Sequence, residues 1–119
     1  MSCDLMLAYV SWKSPRNLEK ILRSHKEHGL LDFASRKMIF FNEVSEQDIS
    51  IAERYECEYV PSKKNIGLGK ALLHLLKECK NKYFCFIECD WSMNKDTLDI
   101  MKDAVNLLDN NVADYVYLR

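Results

Sequence analysis

The chain has 119 residues and a nearly balanced charge, with 17 Lys and Arg against 18 Asp and Glu, for a net charge of −1. Scattered bases and near neutrality argue against a surface that binds nucleic acid. The composition, 48% hydrophobic and 29% charged, is typical of a globular protein and excludes a disordered chain. The length predicts a single domain over residues 1–119 with one substantial hydrophobic core.

The cysteines and the N-terminal residues indicate the cellular compartment in which the protein is expected. Five cysteines without a CxxC pair indicate neither a disulfide framework nor a zinc site. They predict free thiols in a reducing compartment, and we therefore expect a cytoplasmic protein. The N-terminus carries Asp4 and only a brief apolar stretch, which is not a secretory signal. No apolar run is long enough to span a bilayer, so we expect no transmembrane segment.

The first strand and the first helix can be placed from the pattern of apolar residues. Residues 5–10 form a continuous apolar run, which predicts a buried strand. Ser14 is a candidate N-cap with Pro15 at the first helical position, and Gly29 is a candidate helix stop.

Two histidines lie on this helix. His25 and His28 are three residues apart, a spacing that can bind metal. No third ligand lies nearby in the sequence, so we expect both histidines at the surface.

A second strand candidate covers residues 37–41 and ends in the polar pair Asn42 and Glu43. Ser45 and Asp48 then have the spacing of a capping box, although Asp is a weaker partner than Glu at this position. A short helix is predicted after them.

Residues 58–61 form a short extended segment after that helix. We expect an edge strand, because Pro61 cannot donate a hydrogen bond to a neighbouring strand.

The loop of residues 62–71 leads into a helix over residues 70–77. Its glycines and lysine do not match a phosphate-binding P-loop, because the spacing differs and no Ser or Thr comes after Lys70. The third glycine of a dinucleotide-binding fingerprint is also missing. Lys63, Lys64 and Lys70 beside a helix N-terminus predict an anion site. The alternative is a flexible loop with solvated lysines.

Two acids come directly after the apolar run of residues 83–87, which predicts a strand buried on both faces. Side chains alternate along a strand, so Glu88 and Asp90 share a face and Cys89 points the other way. The two carboxylates are then roughly 6–7 Å apart along the backbone. Such a pair can hold Mg²⁺ or Mn²⁺ together with a phosphate. The alternative is an acidic turn that caps the next helix.

The chain closes with a helix that begins near Asn94 or Asp96 and a last strand over residues 114–118. Strands and helices therefore alternate along the whole chain. This alternation predicts an α/β fold, a three-layer α/β/α sandwich with a mostly parallel central sheet.

With these pieces in order, the chain resembles the N-terminal, nucleotide-sugar-binding half of GT-A glycosyltransferases of the family 2 kind. The resemblance covers nearly the whole chain in four stretches. They are Ser11-Trp12-Lys13-Ser14-Pro15-Arg16-Asn17-Leu18, Asn42-Glu43-Val44-Ser45, Asn65-Ile66-Gly67 with Ala71, and Phe86-Ile87-Glu88-Cys89-Asp90-Trp91.

The resemblance implies a hexosyltransferase-type enzyme whose donor is a nucleotide sugar, with UDP-sugars as the first expectation, and whose acceptor is a glycan or a protein. It implies a divalent cofactor, Mn²⁺ or Mg²⁺, held by Asp90 with Glu88. Glu88 would alternatively contact the ribose. The remaining donor-binding residues that it implies are Tyr9, Ser11, Asn42, Glu43, Asn65 and Lys70.

The chain departs from the family pattern at several positions. Cys89 replaces an acid, Asn42 is neutral where the family often has Asp, and Leu72 replaces a basic residue whose role Lys70 would take over. The family also continues into an acceptor-binding half with the catalytic base. We therefore expect a truncated or minimal domain that is inactive alone and needs a partner domain or an oligomer.

Two other classes of protein share some of these features. A receiver-like signalling domain has this length and alternation, but it needs an acidic pair after the first strand, where Ser11 and Trp12 stand. A non-catalytic nucleotide-binding or assembly module derived from a glycosyltransferase is the main alternative.

Overall fold

The structure is a computed structural model that describes residues 3–89 and 96–111. Within these ranges four strands alternate with five helices. The strands are β1 (Cys3–Trp12), β2 (Ala34–Asn42), β3 (Glu58–Pro61) and β4 (Tyr83–Ile87), and the helices are α1 (Pro15–Glu27), α2 (Leu30–Phe33), α3 (Glu46–Arg54), α4 (Leu68–Glu78) and α5 (Thr97–Asp109).

All described strands run parallel in the order β3-β2-β1-β4. The long strand β1 pairs with β2 up to Trp12 and Asn42, and with β4 up to Tyr9 and Ile87. The chain adds strands outward from β1 to β3 and then crosses back to place β4 on the other side of β1. The crevice at such a reversal, beyond the carboxyl ends of the strands, is where open α/β sheets bind ligands.

The sheet separates two hydrophobic cores and so forms the middle layer of the predicted three-layer sandwich. One face packs against α1, α2, α3 and α5, and the other packs against α4. The alternation of β1 shows the division, because Leu5, Leu7 and Tyr9 enter the first core and Met6 and Ala8 enter the second. A strand between two cores needs apolar side chains on both of its faces, which explains the continuous apolar runs in the sequence.

The sequence predicted most of these elements. The edge strand at Glu58–Pro61 is confirmed, as is the capping box, in which Asp48 N–H donates to Ser45 Oγ and Ser45 N–H donates to Asp48 Oδ2. The short helix α2 was not predicted, and Gly29, with φ +84°, stands directly before it. The predicted strand over residues 114–118 lies outside the described residues.

The expectation that His25 lies at the surface is wrong. Its side chain is fully buried, and its Nδ1 lies 2.7 Å from the hydroxyl of Tyr9. The reason is helical spacing, because His25 continues the buried stripe of Leu18, Ile21 and Leu22 on α1. His28 is half-buried, and its Nδ1 lies 2.8 Å from the carbonyl oxygen of Ser24.

The buried thiol of Cys57 and the partly buried thiol of Cys85 make the stability of the fold fall at alkaline pH. Burial raises the pKa of Cys57 and of Cys85 from 9.0 to about 11. The folded state therefore holds these protons more tightly than the unfolded chain, and stability falls as pH rises from 9 through about 11. Urea denaturation across this range should reveal a loss of about 2–3 kcal/mol per thiol.

The control for this prediction is the double variant Cys57→Ala, Cys85→Ala, measured over the same pH range. Its stability should fall less steeply with pH, while titrating groups such as Tyr9 and the lysines still contribute to the slope. Equal slopes in the variant and the unmodified protein would contradict the prediction.

Candidate functional site

Parallel strands bring the carboxyl ends of β1, β2 and β4 to one edge of the sheet. A charged side chain stands immediately after each of these strands: Lys13 after β1, Glu43 after β2 and Glu88 after β4. This edge is the candidate functional site.

Lys13 and Glu43 link the ends of the two central strands. The Nζ of Lys13 lies 2.9 Å from Oε2 of Glu43, and both residues have left-handed backbones, with φ of 47° and 54°. The hydrogen bond from Lys13 holds the pKa of the Glu43 carboxyl below its usual range, and a hydrogen bond from the side chain of Trp12 adds to the effect. Positive φ at two non-glycine residues is strain of the kind that clusters at functional sites.

Trp12 is the most notable residue at this edge that the sequence did not place among the candidates. Its side chain is 52% exposed, although large aromatic groups are usually well buried. The Nζ of Lys13 lies 5.7 Å from the ring centroid. The signal that could have found Trp12 is its position at the carboxyl end of a buried strand, where the chain leaves the sheet.

The side-chain oxygens of Asn42 and Asn65 both accept hydrogen bonds from backbone N–H groups of the protein. Asn42 is 3% exposed, and its Oδ1 accepts a hydrogen bond of 3.0 Å from the N–H of Ile66. Asn65 is exposed, and its Oδ1 accepts one of 2.9 Å from the N–H of Gly67. The Asn65-Ile66-Gly67 stretch is thereby shaped by one bond to β2 and one bond within itself.

The N-terminus of α4 comes directly after this loop and faces the same edge of the sheet. The helix has no acidic residue in its first turn and no side-chain hydrogen bond at its cap. Lys63, Lys64 and Lys70 are all exposed nearby in the chain. Positive side chains and the first N–H groups of the helix both favour an anion at this end.

Tyr9 and Ser11 lie inside the protein near the end of β1. Tyr9 is fully buried, with its hydroxyl against His25, and burial raises its pKa well above 10.0. Ser11 is 2% exposed, and its Oγ is buried without a hydrogen-bond partner among the described residues. An unsatisfied buried hydroxyl is uncommon and marks a place where a further polar group could bind.

The acidic stretch after β4 is described as far as Cys89. The Sγ of Cys89 lies 3.1 Å from the carbonyl oxygen of Val10, and the residue packs against the first core. Glu88 is exposed. Asp90 lies outside the described residues, so the shared face of Glu88 and Asp90 stays a prediction.

Within residues 3–89 and 96–111 no three His, Cys, Asp or Glu side chains are close enough together to hold a metal ion. Magnesium and manganese need fewer protein ligands than that, because they bind through one or two carboxylates together with substrate phosphates. The exposed carboxylate of Glu88 is an oxygen donor of the type that such an ion binds.

The parallel sheet with its order reversal is an α/β fold with the GT-A, Rossmann-like arrangement. The sequence profile described as glycosyl transferase family 2 matches residues 15–119. The chain belongs to glycosyltransferase family 2, and it corresponds to the N-terminal half of such proteins.

Solved structures with the same fold are distant in sequence. The chain is 15% identical to the mannosyltransferase PcManGT from Pyrobaculum calidifontis in complex with GDP-Man and Mn²⁺, with a TM-score of 0.73 over 91% of this chain and 33% of that one. Residues 1–349 of TarS from S. aureus give 22% identity and a TM-score of 0.71 over 92% and 33%. The chain thus spans about a third of each of these structures.

A longer TarS structure from S. aureus is 21% identical, with a TM-score of 0.70 over 92% of this chain and 20% of that one. No curated protein matches the chain in sequence. In the described ranges, no helix has the length and apolar character needed to cross a membrane.

Proposed function

We propose that the chain is the donor-binding domain of a glycosyltransferase, which binds a nucleoside-diphosphate sugar with Mn²⁺ or Mg²⁺ for transfer of the sugar to an acceptor. The observation that carries the proposal is the gathering of Trp12, Lys13, Glu43, Glu88 and the loop before α4 at the carboxyl edge of the sheet. Nucleotides bind at this edge in open α/β sheets. Membership of family 2 supports sugar transfer as the chemistry.

The nucleoside end of the donor would bind at the ends of β1 and β2. The exposed ring of Trp12 offers a face on which a base can stack, and base–aromatic stacking contributes about 1–3 kcal/mol in other nucleotide sites. Glu43 is held ionised by Lys13 and is the acceptor for ribose hydroxyls or base N–H groups. The Ser11 hydroxyl lies just before them in β1, and Tyr9 supports this strand end from inside the core.

The diphosphate would bind beside α4. The positive groups at this end of the site are Lys70 and the first N–H groups of α4, which follow the Asn65–Gly67 loop. Glu88, with Asp90, would hold the divalent cation against the phosphates. When bound, this ion neutralises charge on the departing nucleoside diphosphate.

Five free thiols at the described positions support a reducing compartment, and we propose the cytoplasm. No described residue at the site edge is a convincing base for an acceptor hydroxyl, so we assign no catalytic base.

A nucleotide-binding screen with and without Mn²⁺ tests the proposed function. UDP is the first ligand to test because of the resemblance of the chain to UDP-sugar enzymes, and GDP is the second because PcManGT was solved with GDP-Man. We expect one diphosphate to bind in a Mn²⁺-dependent manner at one site per chain. Absence of binding by every nucleoside diphosphate at millimolar concentration would contradict the proposal.

Glu43→Ala should weaken nucleoside binding by about tenfold to a hundredfold, because a charged acceptor contributes roughly 1.5–3 kcal/mol to its hydrogen bonds. The dependence on Mn²⁺ should not change, since Glu43 lies at the nucleoside end. Calorimetry with the nucleoside and its diphosphate measures both effects.

The matched control is Glu53→Ala, which removes an exposed glutamate on α3. It should leave both affinities unchanged. Unaltered nucleoside affinity in Glu43→Ala would remove Glu43 from the site.

A further inference from the structure

Asn42 ends β2 with its side chain directed at the loop before α4. Residues of β2 alternate between the two cores, so Asn42 shares a face with Met38 and Phe40, which pack against α4. Its Oδ1 reaches across 24 residues of sequence to the N–H of Ile66. At 3% exposure the side chain presents little surface to a ligand.

The loop has a small number of attachments to the sheet. At its start, Ser62 N–H donates to the carbonyl oxygen of Phe41, and Val44 N–H donates to that of Ser62. Further along the loop, the hydrogen bond that the described residues make to the sheet runs from the N–H of Ile66 to Oδ1 of Asn42. The position of residues 67 and 68 is therefore set by this bond on one side and by the packing of Ala71 and Leu75 against the sheet on the other.

After Ile66 the chain makes a sharp and constrained turn into the helix. The N–H of Gly67 donates to Asn65 Oδ1, and Gly67 has φ +85° and ψ 166°, a conformation that is essentially restricted to glycine. α4 begins at the next residue, Leu68. Fixing Ile66 thus constrains the backbone where the chain enters the first turn of α4.

We infer that Asn42 is a positioning residue for the diphosphate end of the donor site, and that it acts by holding the Asn65–Gly67 loop and the N-terminus of α4 against the end of β2. The inference rests on the proposed function and changes the role of Asn42 within it. We assign Asn42 to the loop and not to the nucleobase, because its side chain is 3% exposed and its Oδ1 accepts from Ile66. The preorganised loop lowers the ordering cost of phosphate binding.

Amide hydrogen exchange tests the loop attachment without any ligand. In Asn42→Ala the Ile66 amide should exchange about tenfold faster, because its hydrogen-bond acceptor is gone. In Asn42→Asp the carboxylate still accepts, so protection of Ile66 should stay near that of the unmodified chain. The amide of Leu75, in the buried part of α4, reports in each variant that the fold is retained.

Unchanged protection of Ile66 in Asn42→Ala would overturn the inference. Loss of protection in Asn42→Asp equal to that in Asn42→Ala would overturn it as well, because the acceptor would then not be the relevant feature.

Calorimetry with UDP and with uridine separates positioning from direct contact. Asn42→Ala should weaken UDP binding by about tenfold and uridine binding by less than about twofold, because the loop serves the phosphates. Equal weakening of the two ligands would place Asn42 at the base and overturn the inference. If the unmodified chain binds neither UDP nor any other nucleoside diphosphate, the proposed function fails, whereas amide exchange still decides whether Asn42 fixes the loop.

Discussion

Replacement of Asp90 by alanine is expected to abolish the Mn²⁺-dependent part of nucleoside diphosphate binding, a loss of at least about tenfold in affinity. The reason is that Mn²⁺ and Mg²⁺ bind proteins through only one or two carboxylates, so that the removal of one removes much of the site. Glu88→Ala should reduce the same Mn²⁺-dependent affinity, since the Glu88 carboxylate is exposed at the end of β4. Titration of the diphosphate with and without Mn²⁺ measures this affinity difference.

Cys89→Ala is the matched control, because it changes the residue between the two acids. Cys89 packs against the first core, with its Sγ at the carbonyl oxygen of Val10, so its substitution should leave Mn²⁺ dependence intact. Equal weakening by Cys89→Ala and Asp90→Ala would show that the two acids do not share the ligand side of the strand.

The second large effect concerns turnover. We expect the polypeptide of these 119 residues to bind the donor and to transfer sugar far more slowly than about 1 per second, an ordinary rate for an enzyme. Transfer needs both substrates in near-attack geometry and a base within reach of the acceptor hydroxyl. The candidate residues all gather where the donor would bind, and the chain spans about a third of the solved glycosyltransferases that it resembles.

Radiolabelled sugar transfer by the isolated polypeptide measures this turnover. Transfer to an added acceptor at about 1 per second or faster would contradict the expectation. Slow hydrolysis of the donor to free sugar would not, because water needs no acceptor pocket.

The fold could be predicted because its signals are local. Continuous apolar runs identified β1 and β4, Pro61 identified an edge strand, and Ser45 with Asp48 identified the start of α3. Alternation of strands and helices then restricted the sheet to a mostly parallel one. Each of these signals depends only on residues that are close together in the sequence, so one sequence is enough to detect it.

The contacts that shape the site join distant residues, and they could not be predicted. The contact of His25 with Tyr9 joins residues 16 apart on different elements, although the helical spacing of His25 from Ile21 and Leu22 already indicated burial. The resemblance implies that Asn42 binds the donor, and nothing in the sequence shows that its oxygen also reaches Ile66. The ion pair of Lys13 with Glu43 likewise needs two strands side by side, with both strand ends in the left-handed conformation.

The central claim is that a nucleoside diphosphate and its metal bind at the carboxyl edge of the sheet. Nuclear magnetic resonance of the ¹⁵N-labelled chain with UDP and substoichiometric Mn²⁺ tests it most directly, because the paramagnetic ion broadens the nearest amide signals. We predict broadening at Glu88, Cys89 and the start of α4, with the amides of Arg36 and Asn81, at the opposite end of the strands, left sharp. Broadening centred on Arg36 and Asn81, or uniform broadening that UDP does not alter, would contradict the claim.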